Sequence, residues 1–331
     1  MSNDKKFAVI GGGSWATAIV KMLCENLSEI VWYMRNENAI QHILENNHNP
    51  NYLEAIEFDV NQLRLTKDIN EAVRSADYLI FAIPSAFLYE ELENLTESLD
   101  NKIIVSAIKG IIPETGLIVG KHFQETYNVP LENIGVITGP CHAEEVALER
   151  LSYLTIACSN EENACAVAKK LSSHYIKCKI SDDIIGTEYA AVLKNIYSVA
   201  AGIAHGLGYG DNFQAVLMSN AIREMDGFIN KVYDTERNIN DSAYLGDLLV
   251  TGYSVFSRNR TFGSMVGKGY TVKSAQMEMR MVAEGYYAAK CAFLMNKVIN
   301  AETPIIDTVY NILYLGRNPK KEFKKLTEKL N

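Results

Sequence analysis

Short apolar runs that end in turn residues recur along the first half of the chain. The run at 7–10 is followed by three glycines. Apolar residues then recur at helical spacing over 17–27, and a second apolar run covers 30–33. Continuous apolar runs of this length are typical of strands buried on both faces. The order strand, glycine turn, helix, strand therefore predicts a βαβ unit.

The same alternation continues to about residue 180. Further strands are predicted at 76–83, 102–108, 133–138, 153–158 and 175–180, with a helix at 162–172. Buried strands that alternate with helices predict a Rossmann-like α/β domain with a doubly wound, largely parallel sheet.

The pattern changes near Ser181, after which helical periodicity replaces the strand-like runs. We therefore predict two domains: a dinucleotide-binding domain over 1–184 and an all-α substrate and catalytic domain over 185–331. Phe323, Leu326 and Leu330 recur at helical spacing within a basic segment, which predicts a terminal helix with a solvated basic face.

Composition narrows the class of protein. The 331 residues are 48% hydrophobic and 22% charged, which is ordinary for a globular chain, and the net charge of -8 argues against a nucleic-acid partner. No window approaches the ~20 apolar residues of a membrane span, and because residues 1–6 are polar and the strand after them is short, we expect no signal peptide. We expect a cytoplasmic protein without a transmembrane segment. The six cysteines show no metal-ligand spacing, so we expect reduced thiols and no metal site.

The glycine turn after the first strand fits the dinucleotide pattern G-x-G-x-x-A through Gly11, Gly13 and Ala16. The glycines permit a tight turn and a close approach to a pyrophosphate, which the helix N-terminus then favours. In proteins that bind NAD, an acidic residue near the end of the second strand typically binds the ribose 2′-hydroxyl. This chain has Arg35 there instead, which could accept a 2′-phosphate. The predicted cofactor is NAD or NADP, with NADP slightly favoured.

Polar residues after other strands and on one helix are candidate site residues. Lys109 directly follows an apolar strand and suits an anionic substrate, because ligands bind at the carboxyl ends of strands in such sheets. The helix containing 187–205 has a small, neutral second face that carries Lys194 and Asn195. Such a face predicts close packing or a cleft, and a lysine placed there can have a lowered pKa and move protons.

Two short segments complete the candidate chemistry. Asp247 offers a carboxylate beside a glycine turn, and the segment 257–260 offers a hydroxyl, guanidinium groups and an amide within one turn. The second set is typical of phosphate recognition.

Together these segments resemble the soluble, NAD(P)-dependent sn-glycerol-3-phosphate dehydrogenase family. The similarity runs over roughly 7–284 and is carried by the sequences at 11–18, 51–53, 82–85, 108–110, 139–140, 193–195, 246–248 and 257–260. The resemblance implies reversible hydride transfer between sn-glycerol 3-phosphate and dihydroxyacetone phosphate, supplying glycerol 3-phosphate for phospholipid synthesis.

The resemblance also implies residue roles. Lys194 would be the general acid and base, and Asp247 would orient or tune it. The residues implied to hold the substrate are Lys109, Gly139, Cys141, Asn195, Asp247, Ser257, Arg258 and Asn259, with Arg258 and Asn259 chiefly on the phosphate. The residues implied to contact the cofactor are Gly11, Gly13, Ser14, Trp15, Arg35, Pro84, Lys109, Ala143, Arg258, Val282 and Glu284.

The chain departs from the family pattern at a few positions. Cys141 stands where the family commonly has serine or threonine, and Thr251-Gly252 stands where it has Thr-Cys. The residues 242–245 replace a glycine-rich lead into the Gly-Asp turn. The charged candidate residues are unaffected by these changes.

Two other interpretations of the function stay open at this point. One is a different two-domain β-hydroxyacid-type dehydrogenase, which would also pair a dinucleotide-binding domain with a helical domain and a catalytic lysine or histidine. The other is a non-catalytic nucleotide-sensing or structural protein. The expected partner is a small phosphorylated substrate, and the oligomeric state is open, with a homodimer as one alternative.

Overall fold

The computed structural model describes residues 5–279 and 283–331. The chain divides into two compact units. The first comprises Met1–Ile108 with Val119–Ile184, and the second comprises Lys109–Ile118 with Ile185–Asn331.

The first unit is built on an eight-stranded sheet. Its strands are Phe7–Ile10 (β1), Ile30–Tyr33 (β2), Leu63–Thr66 (β3), Tyr78–Phe81 (β4), Ile103–Ser106 (β5), Ile134–Thr138 (β6), Ser152–Cys158 (β7) and Ile176–Ser181 (β8). The strand order is β3-β2-β1-β4-β5-β6-β7-β8, and every neighbouring pair is parallel except β6 and β7. The order reverses between β1 and β4, which is the switch point where sheets of this kind bind ligands. The predicted fold class is confirmed.

Helices connect these strands. They are Ser14–Cys24 (α1), Glu37–Asn46 (α2), Ile69–Ser75 (α3), Ser85–Leu92 (α4), Val119–Tyr127 (α5), Ala143–Ala147 (α6) and Glu161–Leu171 (α7). All four residues of β1, of β2 and of β4 are buried, which is the pattern of strands covered on both faces.

The sequence pattern misses β3 because only two of its four residues are apolar. Arg64 is exposed in it, and β3 pairs on one side only, with β2. An edge strand of this length has too few alternating positions to produce a periodic signal.

The second unit is mostly helical, as predicted. Its helices are Ile184–Gly206 (α8), Asp211–Val232 (α9), Asp247–Tyr253 (α10), Arg258–Gly267 (α11), Val272–Glu278 (α12), Glu284–Ile299 (α13), Pro304–Leu313 (α14) and Pro319–Thr327 (α15). A short π-helix at Ser242–Gly246 leads into α10. Phe323 and Leu326 of α15 are buried, as its periodicity predicts.

Helices α8 and α11 pack unusually closely. A Cβ added at Gly202 would lie 2.1 Å from the Arg260 carbonyl oxygen, and one added at Gly263 would lie 2.1 Å from the Val199 carbonyl oxygen. Only glycine permits this approach, so part of the small, neutral face of α8 serves helix packing.

The compact units differ from the predicted division at one place. The segment Lys109–Ile118 groups with the second unit, whereas a single boundary after residue 184 leaves it in the first. The physical reason is that Ile111 and Ile118 belong to the hydrophobic core around α8. The assignment of the two units to cofactor and substrate domains stays a prediction.

Within the described ranges, the helices are too short or too polar to traverse a lipid bilayer.

Candidate active site

The glycine turn of the first unit is tight at Gly11 and open beside Gly13, which suits the approach of a dinucleotide pyrophosphate. Gly11 has a φ of 136°, and a Cβ added there would lie 2.5 Å from the Ala82 carbonyl oxygen, so this position accepts only glycine. A Cβ added at Gly13 would meet no atom within 4 Å. The space beside Gly13 is therefore open for a ligand rather than filled by protein.

The N-terminus of α1 suits an anion. Gly13 is its N-cap and provides no side-chain cap, and the first turn, which begins at Ser14 and Trp15, contains no acidic residue. Backbone N–H groups at such a helix start can donate to a phosphate, which the helix dipole also favours. The residues present fit the pyrophosphate of NAD or NADP.

The end of β2 carries a buried ion pair. The Arg35 Nε lies 3.2 Å from Oε2 of Glu91 in α4, and the Glu91 side chain is 3% exposed, against 58% for Arg35. The other carboxylate oxygen of Glu91 accepts a hydrogen bond from the Tyr33 hydroxyl. Burial, together with this bond to Glu91, raises the pKa of Tyr33 well above its usual range, so the phenol stays a donor.

The remaining predicted residues of the first unit stand at the carboxyl ends of strands or helix starts. Pro84 is the N-cap of α4 and follows β4, while Ala143 begins α6. Gly139 follows β6 with a φ of 109°, and Cys141 is buried two residues later. Their contacts with cofactor or substrate stay predictions.

In the second unit, three charged side chains form one cluster. Asp247, the first residue of α10, accepts a hydrogen bond from the Lys194 ammonium at Oδ1, and Oδ2 lies 3.3 Å from the Lys109 Nζ. The side chains of Lys194 and Asp247 are 6% and 2% exposed. The three residues, which are far apart in sequence, therefore share one buried site.

Burial dominates the electrostatics of Lys194. It lowers the pKa of this ammonium to about 7, because desolvation and the neighbouring Lys109 outweigh the attraction of Asp247. Burial alone would raise the pKa of Asp247, but the two lysines together outweigh it and the pKa is lowered. The cluster thus pairs an ionised carboxylate with a lysine that can gain or lose a proton near neutral pH.

A chain of amide hydrogen bonds fixes the neighbouring backbone. The Asn195 amide nitrogen donates to the Lys109 carbonyl at 2.7 Å, and the Asn259 amide nitrogen donates to the Asn195 side-chain oxygen at 2.9 Å. The Asn259 side-chain oxygen accepts from the Gly285 N–H at 2.9 Å. Asn195 and Asn259 are thus placed with the charged cluster, and Glu284 begins α13 one residue before Gly285.

The start of α11 brings the predicted phosphate-binding residues together. Ser257 is its N-cap and accepts from the Arg260 N–H, and Arg258 is the first helical residue. Within the described parts of the chain, the Arg258 guanidinium has no ion-pair or hydrogen-bond partner. Val282, which the resemblance assigns to the cofactor, lies outside the described residues.

Sequence reasoning missed the residues that support this site. The Ser198 hydroxyl lies 2.7 Å from the Ser257 hydroxyl and donates to the Thr251 carbonyl, while the Thr251 hydroxyl donates to the Asp247 carbonyl. The helical spacing places Ser198 on the same face of α8 as Lys194, but no supporting role was predicted for it. Glu91 gave no signal, because its partner Arg35 is distant in sequence.

Comparison with protein families gives two matches, which together cover most of the chain. Residues 6–164 match the N-terminal region of NAD-dependent glycerol-3-phosphate dehydrogenase, and residues 183–324 match its C-terminal region.

Individual relatives are similar to this chain over nearly its whole length. A protein of Exiguobacterium sp. named glycerol-3-phosphate dehydrogenase [NAD(P)+] is 34% identical over 96% of this chain and 94% of its own. A protein of the same name from Bacillus licheniformis is 33% identical over 97% and 93%. The crystal structure of glycerol-3-phosphate dehydrogenase from Coxiella burnetii is similar with a TM-score of 0.89 and 25% identity, covering 98% of this chain and 99% of that one.

Proposed function

Because this chain belongs to the NAD-dependent glycerol-3-phosphate dehydrogenase family, we propose that it interconverts sn-glycerol 3-phosphate and dihydroxyacetone phosphate with NAD(H) or NADP(H). Membership confirms the predicted resemblance and the oxidoreductase class. It also agrees with the prediction of NAD or NADP as cofactor.

The observation that carries the proposal is the cluster of Lys194, Asp247 and Lys109. A secondary alcohol loses a hydroxyl proton when it is oxidised, so the enzyme needs a base whose pKa lies near the working pH. The pKa of Lys194 meets this requirement because the side chain is buried, and Asp247 holds the ammonium in one orientation.

The proton moves in opposite directions in the two reactions. In oxidation, neutral Lys194 Nζ takes the proton from the C2 hydroxyl, so that the O–H bond breaks as the carbonyl forms. In reduction, the Lys194 ammonium returns a proton to the carbonyl oxygen. Lys109 adds positive charge beside the same carboxylate and would favour an anionic substrate.

The far end of the substrate needs cationic and neutral donors. Arg258, Asn259 and Ser257 meet at the start of α11, where the backbone N–H groups also favour an anion. We propose that these residues bind the phosphate and thereby position the reacting carbon.

The nicotinamide, when bound, supplies or accepts the hydride. The chain would hold the dinucleotide through Gly11, Gly13, Ser14, Trp15 and Arg35, with the further contacts that the resemblance implies.

The wider role is proposed on the resemblance alone. We propose that the product glycerol 3-phosphate supplies phospholipid synthesis. A cytoplasmic location stays a prediction of the sequence, and the oligomeric state stays open, with a homodimer as one alternative.

The proposal is tested by following the absorbance of the reduced cofactor at 340 nm with the purified protein. Dihydroxyacetone phosphate should be reduced with NADH or NADPH, and unphosphorylated dihydroxyacetone should react at least ~100-fold more slowly, because it lacks the charge-assisted phosphate contacts. The alternative, a β-hydroxyacid-type dehydrogenase, would instead act on hydroxyacids and leave dihydroxyacetone phosphate unchanged, an outcome that would overturn the proposal.

A further inference from the structure

A carboxylate inside the first unit occupies an unfavourable place. Glu91 is the penultimate residue of α4, and it is buried in the last turn, where the helix dipole disfavours a negative charge. A buried carboxylate also loses its hydration. Two specific partners offset these costs: the Arg35 guanidinium and the Tyr33 hydroxyl.

The partners are the last residue of β2 and the residue two positions beyond it. In sheets of this type, the side chain that follows the second strand reads the 2′ position of the adenine ribose: an acidic residue binds the hydroxyl of NAD, and an arginine accommodates the phosphate of NADP. Arg35 therefore lies where the two cofactors differ.

The ion pair changes what Arg35 offers to a cofactor. An arginine has five N–H donors, and Glu91 engages the one on Nε, leaving the terminal amines, which belong to a side chain 58% exposed. The guanidinium is fixed by this contact, and its charge is balanced by the carboxylate. An arginine that is fixed and whose positive charge is balanced by a carboxylate can donate hydrogen bonds to either a hydroxyl or a phosphate. It attracts the phosphate less than an unpaired arginine would.

We propose that Glu91 is a specificity-determining residue, which positions Arg35 and balances its charge so that the site accepts both NAD(H) and NADP(H). The inference rests on the proposed function only in taking the cofactor to be NAD or NADP. The slight preference for NADP was predicted from Arg35 alone, and the pairing with Glu91 weakens that argument.

The test is direct binding of NADH and NADPH, measured by isothermal titration calorimetry without substrate. In the wild type the two dissociation constants should lie within about tenfold of each other. In Glu91→Gln, loss of the negative charge should tighten NADPH binding about tenfold and leave NADH within about threefold. Glu90→Gln, at the exposed neighbouring position, is the matched control and should change neither value.

A second pair of variants keeps the proposal testable if Glu91→Gln alone is unstable. Arg35→Gln leaves the Glu91 carboxylate unbalanced, so NADPH binding should weaken more than tenfold and more than NADH binding. The double variant, with Glu91→Gln added, should recover most of that loss. An unchanged NADPH to NADH ratio in Glu91→Gln, or equal NADPH binding by Arg35→Gln and the double variant, would overturn the proposal.

These binding measurements are independent of turnover. A protein that binds both cofactors as expected but reduces no dihydroxyacetone phosphate would contradict the proposed function and leave the role of Glu91 intact.

Discussion

Each unit of the molecule contains a buried carboxylate beside basic side chains in its candidate site, Glu91 in the first and Asp247 in the second, but the balance of charge differs. Glu91 in the first unit faces one cation, Arg35, and a neutral phenol, so the group has no net charge. Asp247 in the second unit faces two cations, Lys194 and Lys109, so the cluster carries one net positive charge when both lysines are protonated.

The difference shows what each carboxylate can do. Arg35 is largely exposed and cannot be deprotonated in a protein, so Glu91 can only orient it and balance its charge. Lys194 is buried, and its pKa is lowered to about 7, so the cluster around Asp247 can exchange a proton. The same kind of pairing is thus suited to the cofactor selectivity that we propose for the first unit and to the acid–base chemistry that we propose for the second.

Removing the proton-carrying lysine should have the largest effect. Lys194→Ala should lower kcat about 10³-fold or more, because general acid–base catalysis contributes about 10²–10⁴-fold and the substrate also loses a positioned donor. NADH binding, measured by calorimetry, should change less than threefold. Lys290→Ala, an exposed lysine of α13, is the control. Turnover by Lys194→Ala within tenfold of the wild type would exclude Lys194 as the acid and base.

Removing the charge of Asp247 should have the next largest effect. In Asp247→Asn the two lysines lose their counter-ion, and we expect kcat to fall about 10²-fold and the free energy of unfolding to fall by about 3 kcal/mol. Because Asp247 raises the pKa of Lys194, that pKa should fall further in this variant.

Initial rates against pH and urea unfolding measure these changes. Asp211→Asn is the matched control, since Asp211 is also the first residue of a helix but is exposed. A wild-type pH profile in Asp247→Asn would show that the carboxylate does not tune the lysine.

The smallest of these effects concerns the uncharged part of the cofactor site. Gly13→Ala should weaken binding of both NADH and NADPH by about tenfold, because the new methyl group enters the space that the pyrophosphate needs. Gly210→Ala is the matched control: Gly210 is likewise a helix N-cap, and a Cβ added there also meets no atom within 4 Å.

The two variants should lose the same small amount of stability, about 1 kcal/mol or less, as measured by thermal unfolding. Unaltered cofactor binding by Gly13→Ala would place the pyrophosphate elsewhere.

Much of the fold follows from local patterns. The strands β1 and β2 have the predicted bounds, because continuous apolar runs framed by turns have few alternative structures. The edge strand β3 was not predicted, since its partly exposed residues lack such a pattern. The placement of 109–118 with the second unit was not predicted either, because it depends on where Ile111 and Ile118 find apolar partners.

In the candidate site, too, the features that depend on contacts between distant residues could not be predicted from the sequence. The face of α8 predicted close packing or a cleft that carries Lys194 and Asn195. The positions of Lys109 after a strand and of Asp247 beside a glycine turn made them candidates, and the resemblance supplied the roles of all four residues. The lowered pKa of Lys194 depends on the burial that the fold creates. Glu91 could not be found from the sequence, because a glutamate in a short helix gives no sign that it is buried against a distant arginine.

The central claim, that Lys194 exchanges the proton, is tested most directly by the pH dependence of kcat/KM in both directions with the wild-type protein. The lowered pKa means that Lys194 is charged below pH 7 and neutral above it. Reduction of dihydroxyacetone phosphate needs the ammonium and should therefore be constant below about pH 7 and fall tenfold per pH unit above it. Oxidation of sn-glycerol 3-phosphate needs the neutral amine and should rise up to about pH 7 and then level off. A reduction rate that stays constant from pH 6 to 8.5 would contradict the account.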